Sequence, residues 1–298
     1  MKGTIAVNQP HQTNGDNNFS RRRFVKNATA TGALISVAPW SRASSLESYR
    51  DGEFCRAIVI GSGFGGAITS LRLTEQGIET MLLERGKRWT LSPDGNTFSP
   101  YLPPDGRSTW LSRWSPLPFG PPLPVNRYVG VLESRSLGGL HIIQAAAYGG
   151  GSIVYGGLHV QPTQKIFEQV FPSEISYEAL QTYYDRFANK VGISSTPKDI
   201  FETDYYKHYR VVEEQALRAG LKTERIRSAT DWEVIRREIS GKIKPSAIHG
   251  EAIYGVNSGA KKTLDTNYLA EAEATGKLSV KTLHQVVDIR AVDDRYQV

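Results

Sequence analysis

From residue 54 onward the chain alternates short apolar runs with amphipathic stretches, and the first of these define a recognisable unit. Residues 54–60, FCRAIVI, end in a β-branched apolar run that stops at Gly61, the pattern of a buried strand. Residues 61–66 form a glycine-rich turn. Residues 67–76 place Ile68, Leu71 and Leu73 at helical spacing, and Gly77 ends the pattern. Residues 78–84 are a second buried strand. Strand, helix and strand with such short connections predict a parallel pair and a right-handed crossover.

Between residues 93 and 124 nine prolines suppress regular structure, yet Trp110, Trp114 and Phe119 are too apolar for a solvated tether. We read this stretch as an ordered covering segment that either lines an apolar pocket or packs over the core. Strands are expected at 128–133 and 140–145. The glycine-rich loop YGGGSIVYGG follows at 148–157. Apolar spacing predicts helices at 176–191 and 205–219, and a turn-rich stretch, 255–269, leads into a helix near 267–275. The last 21 residues read as strands around a turn at Asp293-Asp294. There is no internal repeat. The sequence stops at Val298 in what looks like the second arm of a hairpin, so we expect an N-terminal part of a longer protein, with unpaired strand edges and low stability alone.

Charge changes the picture at one end. Up to Ala43 the chain holds Lys2, Arg21, Arg22, Arg23, Lys26 and Arg42 against Asp16, which is +5 of the chain's +6. The body is therefore nearly neutral, and nothing in it calls for a nucleic-acid partner. Residues 20–26, SRRRFVK, precede a weakly apolar run at 28–38, too short and too rich in Thr, Ser and Gly to span a bilayer. Basic start, apolar middle and small-residue end describe an export signal over residues 1–43; a basic tail with no address is the plainer alternative. The order of residues resembles the twin-arginine signal, which implies passage through that translocon in a folded, cofactor-loaded state, to a periplasmic or extracellular location. Cys55 is the single cysteine, so no internal disulfide forms.

The chemistry lies in IGSGFGGAITSLRLTEQGIETMLLERG. Gly61 allows the tight turn out of the first strand, and Gly63 lets the backbone approach a pyrophosphate. Gly66 lets the helix pack close to the strand. Phe64 and Gly65 stand between them and are taken with them as cofactor-binding. The helix start offers free N–H groups and the positive end of its dipole to phosphate. Ser70 is small where the helix meets the sheet. Glu84, 23 residues after Gly61, ends the second strand, where its carboxylate can accept both hydroxyls of an adenosine ribose and would repel a 2′-phosphate. The unit does not by itself separate FAD from NAD; its place near the start of the body and the Glu84-Arg85-Gly86 ending resemble flavoproteins.

Three stretches together resemble the glucose–methanol–choline (GMC) oxidoreductases: the segment just quoted with its continuation KRW, GGGSIVYGGLHVQP, and GAKKTLDTNYLAEAEATGKLSVKTLHQVVDI. The third points to the sterol-oxidising branch. The resemblance implies an α/β fold with a doubly wound parallel sheet, a Rossmann-like FAD-binding domain at 50–160 that the chain re-enters at 255–298, and an intertwined α+β substrate-domain segment at 161–254. It implies FAD as cofactor, with Gly150, Gly151 and Ser152 along the flavin and its phosphates and the backbone of Val286 against adenine. Consecutive glycines suit a backbone that passes against a flat ring. It also implies oxidation of a sterol-like alcohol by hydride transfer to flavin N5, with oxygen as electron acceptor. A smaller alcohol, or flavin binding without turnover, are the alternatives. Tyr155 stands where such proteins often carry Asn, which bears on the substrate. The family's catalytic His and its partner are expected beyond residue 298, so no catalytic residue is assigned. His141, His159 and His284 lie in or beside the motifs; a histidine with a satisfied hydrogen bond is the ordinary reading of each. His208 and His249 read as surface residues. No metal-ligand spacing or serine-nucleophile motif stands out.

Overall fold

The computed structural model describes residues 54–116 and 120–298; the export-signal reading at 1–43 and Phe119 lie outside the described residues. The expected strand–helix–strand unit is present as β1 (Ala57–Ile60), α1 (Phe64–Glu75) and β2 (Thr80–Glu84). β1 and β2 run parallel from Ala57↔Thr80 to Ile60↔Leu83. A distant strand, β9 (Leu278–Thr282), joins the other side of β2 in parallel, from Thr80↔Leu278 to Glu84↔Thr282. α1 starts three residues earlier than its apolar spacing indicates. Gly63 caps it in an extended conformation, and Phe64, Gly65 and Gly66 form its first turn despite the low helix propensity of glycine.

The reason is packing. Gly66 sits so close to β1 that a Cβ there would lie 1.9 Å from the Gly61 carbonyl oxygen. This lets Ala67 and Leu71 of α1 settle on Val59 and Leu82, with Leu269 and Ala272 of α7 (Tyr268–Ala274) completing the cluster over Leu278. Each fully buried leucine here contributes about 1.5–3 kcal/mol. The alternate residues of β1 face the other way, and Ile58 and Ile60 are 37% and 47% exposed. A doubly wound layer carries helices on both faces; the described residues build a three-stranded parallel sheet with α1 and α7 on one.

The covering segment packs over the core. Phe98 is buried on Trp89, and the Phe98 amide donates to Asn257 Oδ1 at 2.8 Å. Ser115 Oγ links Ser108 to Tyr254, whose hydroxyl donates to the Pro116 carbonyl. The two-residue strands β3 (Trp114–Ser115) and β4 (Leu123–Pro124) are its main regular pairing, and Trp114 stays exposed. The next hairpin is β5 (Leu132–Leu137) with β6 (Leu140–Ala145), displaced from the expected 128–133 because Gly138 and Gly139, both at positive φ, make the turn.

Segment 161–254 holds α2 (Gln164–Val170), α3 (Tyr177–Val191), α4 (Lys198–Phe201), α5 (Lys207–Arg218) and α6 (Trp232–Ile239). α3, α5 and α7 match the periodic stretches; α2, α4 and α6 are short and escape them. α6 is amphipathic over two turns, with Trp232, Ile235 and Ile239 on its packed face, and is capped by Asp231, which accepts from the amides of Glu233 and Val234. The segment is stitched at both ends. β7 (Leu158–His159) pairs with β8 (Arg227–Ser228), and the amides of Asp231 and Lys262 bond to Ala260 and Ala229 across the next turn. At the C-terminal end β10 (Arg290–Val292) and β11 (Arg295–Gln297) form a closed two-stranded ladder around Asp293 and Asp294, so the second arm has its partner.

Gly86 is a second site of close approach, since a Cβ there would lie 2.1 Å from Ala146 C and Ala147 N. Gly66→Ala and Gly86→Ala are each expected to lower stability by about 1–3 kcal/mol or more, because backbone must move. Gly63→Ala, where nothing lies within 4 Å and φ is −68°, is expected to stay within about 0.5 kcal/mol of the parent. Urea unfolding midpoints measure all three.

Candidate cofactor cleft

The C-terminal ends of the parallel strands open into a cleft of about 870 Å³, the location where open α/β sheets bind ligands. Glu84 closes its floor. The side chain is buried, and its carboxylate accepts from Ser62 N (2.9 Å), Ser62 Oγ (2.6 Å) and Gly86 N (2.7 Å). Ser62 Oγ in turn accepts from Gly149 N at 3.0 Å. One buried acid and one serine thus tie together the first glycine turn, the end of β2 and the second glycine loop. Behind them Gly150, at φ +55°, lies against Gly63 so closely that a Cβ would meet its Cα at 2.5 Å.

Six of the residues singled out from sequence line this cleft: Gly61, Gly63, Glu84, Gly150, Gly151 and Val286. At Gly61, Gly63 and Gly151 an added Cβ would meet nothing within 4 Å, so this wall is bare backbone facing open space. The first helical hydrogen bond of α1 is Ala67 N to Gly63 O, which leaves the amides of the first turn unused by the helix. His284 and Gln285 bring Val286 to the cleft. His284 donates its amide to the Glu84 carbonyl at 2.9 Å, and Leu283 donates to Gly86 O.

The other four take different places. Gly65 lies in the first turn of α1 with open space around it, and Gly66 serves helix packing. Phe64 turns to Tyr155 and Phe187, with ring centroids 5.7 and 6.0 Å away. Ser152 is buried; its hydroxyl donates to Gly149 O (2.7 Å) and accepts from Leu264 N (3.0 Å), so it braces the loop from behind. Glu84 is also less available than its position suggested. A carboxylate offers about four acceptor sites, and three are filled, which leaves one for a ribose hydroxyl instead of two.

Several groups at the cleft were not legible in the sequence. Arg85, Arg135 and Gln144 line it and converge on Glu133. Burial alone would raise the Glu133 carboxyl, but hydrogen bonds from Arg85, Arg135 and Gln144 outweigh it and hold the group below its ordinary value. Two arginines stand against Glu133 at the rim, which leaves one positive charge there above the Glu84 carboxylate of the floor. The signal was the alternation in LESRS, which fixes sides only once the hairpin register is known.

Tyr155 stands between this cleft and an adjoining aromatic cavity of about 600 Å³, and lines both. Burial pushes its phenol up to about 12. Its hydroxyl is 3.1 Å from His159 Nε2, and burial lowers that imidazole. His159 is thus a hydrogen-bonded residue of the aromatic cavity. His141 is exposed on β6 beside Ser134 and Ser136, and His208 and His249 are exposed. The backbone of Tyr155 is gripped by Lys261, whose Nζ donates to Tyr155 O (2.7 Å) and Ala252 O (3.1 Å). Among the described residues, none of the covering segment lines the cleft or the aromatic cavity.

No family model matches the chain. It is 26% identical to a cholesterol oxidase of Acinetobacter baumannii over 257 residues, covering 80% of this chain and 42% of that protein. It is 27% identical to a cholesterol oxidase of Mycobacterium tuberculosis (strain CDC 1551 / Oshkosh) over 239 residues, covering 74% of this chain and 37% of that protein. The chain therefore spans about two fifths of the length of the curated relatives it matches. The similarity to these relatives accords with the resemblance of its glycine motifs to the GMC oxidoreductases.

Lys261 is 9% exposed, and burial pulls its ammonium from 10.5 down to about 7. Between those two values the unfolded chain holds a proton that the folded chain has released, so stability rises with pH across the window. Below about 7 both states carry the proton and the contribution is constant. Relative to Lys261→Met, the parent is expected to gain up to about 1.4 kcal/mol per pH unit from pH 7 toward pH 10. Paired denaturation curves at several pH values check the slope.

Proposed function

We propose that this chain carries the FAD-binding site of an exported alcohol oxidoreductase acting on a sterol-like alcohol, with oxygen as the electron acceptor and the twin-arginine route as its path of export. One observation carries the reading: a cleft at the carboxyl ends of parallel strands gathers Gly61, Gly63, Glu84, Gly150, Gly151 and Val286, and three of those glycines present bare backbone to open space. The relatives named cholesterol oxidase support a sterol-like substrate.

The donor set suits an adenine dinucleotide. The unused amides at the start of α1, the glycine turn and the cationic rim at Arg85 and Arg135 would hold the pyrophosphate. The remaining acceptor site of Glu84 would take a ribose hydroxyl, and the backbone at Val286 would meet the adenine. The 149–151 backbone would lie along the flavin side. Bound FAD would accept the hydride from the carbinol carbon at N5. Tyr155 would fix the far wall, its phenol protonated at neutral pH and oriented by His159.

Titration of the purified chain with FAD, followed by flavin fluorescence and the visible spectrum, tests the cofactor. Saturable binding is expected; a colourless protein that ignores FAD overturns the reading. Gly151→Ala is expected to keep the parent melting temperature, since its Cβ meets nothing within 4 Å, while losing at least about tenfold in FAD affinity because that space belongs to the ligand. Anaerobic bleaching by a 3β-hydroxysterol, set against choline-like and sugar alcohols, tests the substrate class.

A further inference from the structure

Ser62 stands between the two glycine segments of the cleft, and its side chain is not part of the glycine motif that surrounds it. It is 0% exposed. Its hydroxyl has one proton to give and two acceptors in reach, Glu84 Oε2 at 2.6 Å and the Ala147 carbonyl at 3.4 Å. The shorter contact, to a carboxylate, takes the proton. The lone pairs of the same oxygen then face Gly149 N, which donates at 3.0 Å. Direction is fixed along this chain of hydrogen bonds: Gly149 N–H to Ser62 Oγ, and Ser62 O–H to Glu84.

The two ends of the chain belong to different parts of the cleft. Glu84 lies at the end of β2, with one acceptor site still open. Gly149 opens the second glycine loop, and the two residues that follow it, Gly150 and Gly151, line the cleft. Gly149 is buried at φ +100°, and its carbonyl is already taken by Ser152 Oγ at 2.7 Å and Ser152 N at 3.3 Å. Among the described residues, the acceptor for its amide is Ser62 Oγ. A shift of Gly149 therefore reaches the cleft wall directly. Loss of the hydroxyl would act oppositely at the two ends. Gly149 N would be buried without an acceptor, whereas Glu84 would keep the Ser62 and Gly86 amides and gain a second open acceptor site.

We propose that Ser62 is a positioning residue for the flavin half of the dinucleotide: it holds the 149–151 backbone against the Glu84 end of the cleft, and it does so by filling an acceptor site that an adenosine ribose would otherwise reach. This role rests on the FAD reading.

Isothermal titration of the full chain with FAD and, separately, with ADP tests it in the parent and in Ser62→Ala. FAD affinity is expected to fall about tenfold in the variant, the usual effect of stranding one buried donor. ADP has the ribose and pyrophosphate without the flavin, so its affinity is expected to stay level or rise. A change that merely loosened the fold would weaken both alike. Hydrogen exchange at the Gly149 amide is expected to be slow in the parent and at least about tenfold faster in the variant. Equal losses for FAD and ADP, an unchanged FAD affinity in the folded variant, or fast Gly149 exchange in the folded parent would each overturn this role alone. A parent that ignores FAD overturns the cofactor reading and this role with it. Ser62→Cys, of similar shape but a weaker donor and acceptor, is expected to show the same split at smaller size, and it replaces Ser62→Ala if that variant does not fold.

Discussion

The geometry of the cleft depends on a buried carboxylate. Glu84 ends β2 with its side chain on the same face as Leu82, so burial of the sheet's helix face takes the acid inside as well. It is stable there because the Ser62 amide, the Ser62 hydroxyl and the Gly86 amide meet it. Hydrogen bonds to a charged group contribute roughly 1.5–3 kcal/mol each, and a buried carboxylate deprived of them would be far costlier than their sum suggests. Ser62 passes the constraint on to Gly149. The turn after β1, the turn after β2 and the 148–157 loop are therefore positioned by one charge. The close backbone approaches at Gly86 and Gly150 follow from how tightly that charge draws the segments together.

The same constraint separates what was legible in the sequence from what was not. Gly61, Gly63 and Glu84 were readable because the demands of a tight turn and a strand-end acid are local and recur at fixed spacing. α3, α5 and α7 were readable because they are amphipathic; Ser176 caps α3 through the Ala179 amide and Gly192 closes it. Missed elements are those whose stability comes from elsewhere. α4 is a single turn whose Ile200 and Phe201 are buried, with Ile200 packed in a cluster with Ile235, Val256 and Ala260. α6 is eight residues long and depends on the Asp231 cap and on Glu238, whose buried carboxylate accepts from the amides of Ser246, Ala247 and Ile248. α4 is too short to leave a periodic trace, and in α6 Trp232, Ile235 and Ile239 repeat over only two turns.

At the site level, reading stopped where function depends on register and on distant partners. Ser152 looked like a loop residue facing a ligand, yet its hydroxyl is bound to Leu264, 112 residues away. Arg85 looked like part of a strand ending, and only the pairing of β5 with β6 brings Glu133 and Gln144 to it. Lys261 sat in a motif recognised by resemblance. Its place beneath Tyr155, with two carbonyls and a ring face for company, follows from contacts 106 residues apart in sequence. Spacing arguments find residues whose partners are near neighbours, and long-range polar pairs are outside their reach.

The 148–157 loop shows how this protein satisfies its interior. On the cleft side Ser62, Glu84 and Ser152 are all bonded. Further off, Glu238 is met by three amides. In both places a buried acid draws backbone amides around it, because an ionised carboxylate without donors would cost more than the turns that supply them. The acids therefore fix loop positions that no local propensity would hold, and the bare glycine wall of the cleft stands on that arrangement.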